Sequence, residues 1–226
     1  MIKPSRLIKI AIICLLVFFW SSPSYALNIE DVANPRQTYG GWVTDMASIL
    51  SDETENYLNK KINLLESENG AEIAIVTVPE TSPEPSPKSF ATKLFNYWGI
   101  GKAEENNGIL FLISAQDHRV EIETGLGVES IIPDSKVGEI IEQEIIPQLK
   151  IGEFDAGVMT ATNKLITELS NVKLDKHNNI FSNQYIKAFF LIGLGLLISL
   201  DSSSDNNSNS DFGGGSSDGG GAGGDF

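Results

Sequence analysis

Apolar positions change their spacing several times along the chain, and each change marks an element. Leu58, Ile62 and Leu65 recur at helical spacing behind Ser51, whose hydroxyl suits the capping of first-turn amides. Asp52 and Glu53 stand where the helix dipole favours negative charge, and Asn69-Gly70 supplies a stop, so a helix is expected over 51–68. The next run, AEIAIVTV at 71–78, is short, β-branched and apolar, as a buried strand is, and the prolines of 79–87 end it in a loop. Phe90, Ala91, Leu94, Phe95 and Trp98 return to helical spacing, and ILFLIS at 109–114 reads as a second buried strand after the 99–107 loop. Two such strands joined by a helix predict a right-handed βαβ unit with parallel strands.

Strict alternation follows at 119–124. Val120 and Ile122 fall on one face and Arg119, Glu121 and Glu123 on the other, which predicts an antiparallel, half-exposed strand. Two more helices complete the pattern. One starts at Asp134 as its cap and carries Val137, Ile140, Ile141, Ile145 and Leu149, with Pro147 expected to bend or end it; the other carries Phe154, Val158, Ala161, Leu165 and Leu169. Four helices around a small mixed β-sheet make an α/β fold, a three-layer α/β/α sandwich, over residues 27–172.

The two ends differ from this domain. Lys3, Arg6 and Lys9 precede an apolar run and the small-residue pattern Ser24-Tyr25-Ala26, which reads as a signal peptide at 1–26 with cleavage after Ala26. Residues 173–185 read as a Lys-rich linker, and 186–200 as a transmembrane anchor whose apolar core is short, with a buried C-terminal helix as the alternative. Lys164, Lys173, Lys176 and Lys187 precede that run and no basic residue follows it, so charge counting opposes the orientation set by the signal peptide; a translocated folded domain decides for the latter. The tail at 201–226 is rich in Gly, Ser and Asp and holds two large side chains, Phe212 and Phe226, so a disordered, flexible segment is expected. The expected location is exported: periplasmic, extracytoplasmic or thylakoid-lumenal.

Composition removes several function classes. The 226 residues carry a formal charge of −14 and a pI near 4.5, with no Lys/Arg cluster, which argues against nucleic acid as a partner. Loss of the first 26 residues removes three basic groups and no acid. It also removes Cys14, the only cysteine, and with it thiolate catalysis, disulfides and Cys-zinc sites. His118 and His177 lack a metal-binding spacing. The stretch EIETGLGVESIIPD at 121–134 stands out, because a polar strand ends in Gly125-Leu126-Gly127 and delivers Glu129 and Asp134 to a helix start. It lacks the third glycine of a dinucleotide fingerprint.

Several separated segments resemble the TPM domain family in order and approximate spacing: Trp42 through Leu50 (WVTDMASIL), Trp98-Gly99-Ile100-Gly101, Asn107-Gly108, Ile122 through Glu129, and Ile132-Pro133-Asp134. The resemblance covers about residues 36–170. It implies an exported or lumenal α/β/α domain, often tethered to a membrane, with an acidic calcium site in some members, photosystem II repair in photosynthetic membranes and acid phosphatase activity in one lineage. Matched onto these motifs, the metal site would comprise Asp45, Asn107, Glu123, Glu129 and Asp134, hard oxygen donors that suit Ca2+. Relatives commonly carry Arg at the position of Glu121, so anion binding there is not carried over. Each acid also has a simpler reading: Asp134 as a helix cap, Asp45 as a turn acceptor, Glu123 as a solvated strand residue. Three functions compete: a calcium-binding interaction module supporting a membrane protein complex, a metal-dependent phosphatase, and a metal-free structural interaction domain.

Overall fold

A computed structural model of the chain describes residues 26–181 and 211–226. Strand β1 (Val43–Asp45) lies parallel to β2 (Glu72–Val78), β2 lies parallel to β3 (Gly108–Ser114), and β4 (Arg119–Thr124) returns antiparallel to β3. Every residue of β2 and β3 is buried, as continuous apolar runs require where both faces of a sheet are covered. The parallel steps need crossovers, and helices supply them: α1 (Asp52–Asn69) between β1 and β2, and α2 (Pro87–Trp98) between β2 and β3. Ser51 Oγ accepts from the Thr54 amide at 3.3 Å to cap α1, and Gly70 ends it at φ 79°. Ser86 caps α2 in the same way, with Pro87 at the first helical position, where a missing amide proton is harmless.

The helix expected through Leu149 is divided. Pro133, not Asp134, holds the cap position, and Asp134 is the first residue of α3 (Asp134–Ile140). A π-turn (Ile141–Ile145) leads into α4 (Ile146–Leu149). Pro147 has no amide proton for the carbonyl four residues earlier, and the wider π register carries the chain past it without a break. Helix α5 (Phe154–Phe181) extends into the segment expected to be a linker at 173–185. Polarity alone does not stop a helix, and no Gly or Pro stands between 158 and 181. Helices α1 and α5 pack together, and α5 packs on the π-turn, whose Ile141 borders β5 beside Ile146; α2 covers the opposite face at β4. The α/β/α sandwich is therefore realised.

The largest departure lies in the tail. Residues 211–226 are not a flexible segment, because they carry β5 (Gly220–Asp225), paired antiparallel with β4 from Arg119↔Asp225 to Thr124↔Gly220. The sheet order is β1-β2-β3-β4-β5. Composition counts apolar side chains, whereas this strand is held by a main-chain ladder and by the absence of side chains. At Gly221, φ is 96° and a Cβ would collide with the Ile122 carbonyl oxygen. Phe212 supplies the missing apolar contact: it is 7% exposed, stacked on Trp98 with centroids 5.7 Å apart and edge-on to Trp42 at 5.9 Å. Burial of such a ring contributes roughly 1.5–3 kcal/mol.

The signal peptide and the anchor at 186–200 fall outside the described residues, as do residues 201–210 of the tail. Among the described residues no helix is long and apolar enough to cross a membrane.

Candidate functional site

The polar face of β4 is not half exposed. Glu121 is 2% exposed and Glu123 fully buried, because α2 and the tail lie over them. A buried carboxylate needs partners, and Glu123 has two: Lys88 Nζ at 2.7 Å and Ser217 Oγ at 2.6 Å. Lys88 also donates to the Gly220 carbonyl at 2.8 Å, so one ammonium joins α2, β4 and the tail. Arg119 Nε donates to Glu121 Oε1 at 2.7 Å and its Nη1 to Asp225 at 2.9 Å. Glu121 Oε2 has no hydrogen-bond partner among the described residues. A Cβ on Gly223 would strike this carboxylate, so glycine is the residue that fits there.

Glu123, Glu129 and Asp134 come together at the sheet end where β4 finishes. The helical turn Leu126–Glu129 brings Glu129, the start of α3 brings Asp134, and the tail brings Asp218. Burial raises the pKa of Glu129 above its ordinary value, and the charges of Asp218, Asp134 and Glu123 raise it further. Asp134 Oδ1 accepts the Gly221 amide at 2.7 Å, so it anchors the tail and does not cap its own helix.

Asp45 and Asn107 are not part of this corner. Asp45 lies at the opposite end of the sheet, in register with Thr77, where its carboxylate accepts from the Ile49 and Leu50 amides at 3.2 and 3.0 Å and from the Thr77 hydroxyl. Those bonds build the turn after β1. Asn107 closes its own loop: Oδ1 accepts the Lys102 amide at 2.9 Å and Nδ2 donates to Glu105 at 2.7 Å.

Sequence reading missed Glu72, Lys88, Asn96 and Asp218. Glu72 is 1% exposed; its Oε2 accepts the Gly101 and Gly213 amides at 2.7 and 3.2 Å, and its Oε1 pairs with Lys102 at 2.8 Å. Burial lowers the Lys102 pKa, but Glu72 and Glu66 outweigh it and hold the ammonium above its usual value. Two signals were present: an acid opening an apolar strand, and a lysine in the first turn of α2, where the dipole disfavours a cation.

For calcium, the corner offers oxygen donors and unbalanced negative charge, which fit a hard cation. Among the described residues, no three His, Cys, Asp or Glu side chains stand ready to hold a metal ion. Only Glu129 and Asp134 of the five expected ligands keep carboxylate oxygens at the corner without an ion-pair partner, since Glu123 is held by Lys88.

The N-terminal domain of a P. gingivalis protein, solved by NMR, is similar at 30% identity and a TM-score of 0.59 over 66% of this chain and 94% of that one. Protein BA42 from the psychrophilic bacterium Bizionia argentinensis shares 22% identity over 54% of this chain and 82% of its own, with a TM-score of 0.47. No curated protein matches the chain. A family model described as the TPM domain matches residues 43–168, from β1 to α5, which is more than half of the sequence; the chain belongs to the TPM domain family.

Proposed function

We propose that this chain is an exported, membrane-tethered interaction module that takes up calcium at the Glu129–Asp134 corner and supports assembly or repair of a membrane protein complex, photosystem II being the complex to which the resemblance points. The observation that carries the calcium reading is the convergence of Glu129, Asp134 and Asp218 at one corner from three separate segments of the chain, where burial and then the neighbouring charges raise the Glu129 pKa. Bound calcium would supply the positive charge that this corner lacks. Glu129 and Asp134 would hold it, while Lys88 keeps Glu123 neutralised and the tail fixed beside them. The export and tether parts of the proposal rest on the residues 1–26 and 186–200.

Thermal unfolding of the purified protein in EDTA, Mg2+ and Ca2+ tests the calcium part. At a Ca2+ concentration about ten times Kd, the expected rise in Tm is about 3–6 °C. Glu129→Gln removes the rise, and Asp45→Asn lowers Tm yet keeps it. A Ca2+ response that survives Glu129→Gln, or none at millimolar Ca2+, overturns the assignment.

A further inference from the structure

The tail is gripped by side chains as well as by a neighbouring strand. Asn96 of α2 holds both polar groups of Ser217, donating Nδ2 to its carbonyl and accepting its amide on Oδ1, each at 3.0 Å. Lys88 takes the Gly220 carbonyl, Asp134 the Gly221 amide, Glu72 the Gly213 amide, and Asn106 the Ser216 amide at 2.8 Å. Five side chains of the domain thus read the main chain of one continuous stretch. Two aromatic anchors bracket it. Phe212 sits between Trp98 and Trp42, and the Arg36 guanidinium lies 4.1 Å from the Trp42 ring centre; Phe226 meets His118 and Phe154 edge-on at 5.6 and 5.9 Å. Between the anchors, lack of room selects glycine: a Cβ at Gly220 would strike Glu129, at Gly221 the Ile122 carbonyl, and at Gly223 Glu121. Anchors at the ends, main-chain reading in the middle and strand addition to a sheet edge are the features of a peptide-recognition groove.

We propose that this groove is such a site and that its partner is a second copy of this chain, the segment 211–226 of one molecule filling the groove of another in exchange for its own. All the contacts lie within one linear segment, so none of them requires that segment to belong to the same molecule. About 30 residues, 182–210, separate it from α5 and reach at most about 100 Å when extended, enough to pass the segment to a neighbour. The molecule's own segment competes at an effective concentration of about a millimolar, so exchange is favoured where copies are crowded. The proposal deepens the interaction-module reading by naming the partner; it does not depend on calcium.

The test uses the full chain in EDTA, which separates it from the calcium reading, and a fluorescent synthetic peptide of residues 211–226. In the chain, Phe212→Ala removes one anchor and Gly221→Val forces the strand away from Ile122; either frees the groove without altering it. The peptide is expected to bind both variants saturably and at least about tenfold more tightly than it binds the unaltered chain. A peptide carrying Phe212→Ala, or a chain that adds Asn96→Ala, loses about tenfold. Unaltered chains labelled separately with donor and acceptor should show energy transfer at about millimolar concentration, and excess peptide should abolish it. Failure of the peptide to bind either variant, or equal binding of a scrambled peptide, overturns the groove; absence of energy transfer between intact chains overturns the second copy as its partner.

Discussion

Where β1, β2 and β3 run out, Asp45 and Asp117 are surrounded by donors; at the opposite end of the same sheet, where Glu72 and Glu123 are ion-paired, Glu129 faces other carboxylates. Asp45 accepts two amides and a hydroxyl. Asp117, in the turn after β3, accepts the Thr81 amide and hydroxyl at 3.0 and 2.7 Å and the Ser114 hydroxyl at 2.6 Å. Burial pushes the Asp117 pKa up, but these donors outweigh it and hold the carboxyl below its ordinary range. Glu129 has the reverse balance, with burial and three neighbouring carboxylates raising it together. Asp45 and Asp117 build turns whereas Glu129 stores unbalanced charge, and the difference is the supply of N–H and O–H groups.

Three changes would break or sharpen this contrast. Asp117→Ala leaves the buried Ser114 and Thr81 hydroxyls without their acceptor and is expected to cost about 2–4 kcal/mol in urea unfolding, since hydrogen bonds to a charged group are each stronger than neutral ones. A loss below about 0.5 kcal/mol would mean that this end is no more committed than the other.

The second change is in pH, and the two ends have opposite signs. The lowered pKa of Asp117 gives stability that is present above the unfolded carboxylate value of about 4 and is lost as pH falls through the folded value. The raised pKa of Glu129 gives a penalty that is present above its folded value and disappears as pH falls to the unfolded one. Relative to the wild type, Asp117→Asn therefore gains on acidification and Glu129→Gln declines, a crossing that unfolding curves between pH 3 and pH 7 would reveal. Parallel curves would remove the distinction. Smallest is the effect of salt. At neutral pH Glu129→Gln should stabilise the protein by less than about 1 kcal/mol, and a few tenths of that gain should vanish in about 0.5 M NaCl, where the Debye length shrinks to a few ångströms. The deficit of Asp117→Ala should not move with salt.

Much of the sheet was legible because β2, β3, α1 and α2 carry their own periods and caps. Leu58, Ile62 and Leu65 face the core as their spacing requires, and Ser51 and Gly70 bound the helix. The polar face of β4 was not legible in the same way. Alternation shows that Glu121 and Glu123 share a face, but nothing in that strand tells that Lys88 and Ser217 arrive from distant segments to bury them. The tail failed for a related reason: its glycines have no period, and their value lies in the close approach of Glu121, Glu129 and the Ile122 carbonyl. Motif matching found the acidic corner in Glu123, Glu129 and Asp134. It also included Asp45, because adjacency in a family pattern does not say at which end of a sheet a strand delivers its last residue.

Strand β5 also has a topological meaning. It and α5 belong to one folded body, so Phe181 and Asp211 lie on the same side of any bilayer. A segment within 186–200 that crossed once would strand 211–226 in the opposite compartment and leave β4 with an open edge. Completing the sheet and crossing once are mutually exclusive, so a tether at 186–200 that leaves β5 in place holds the membrane from one side.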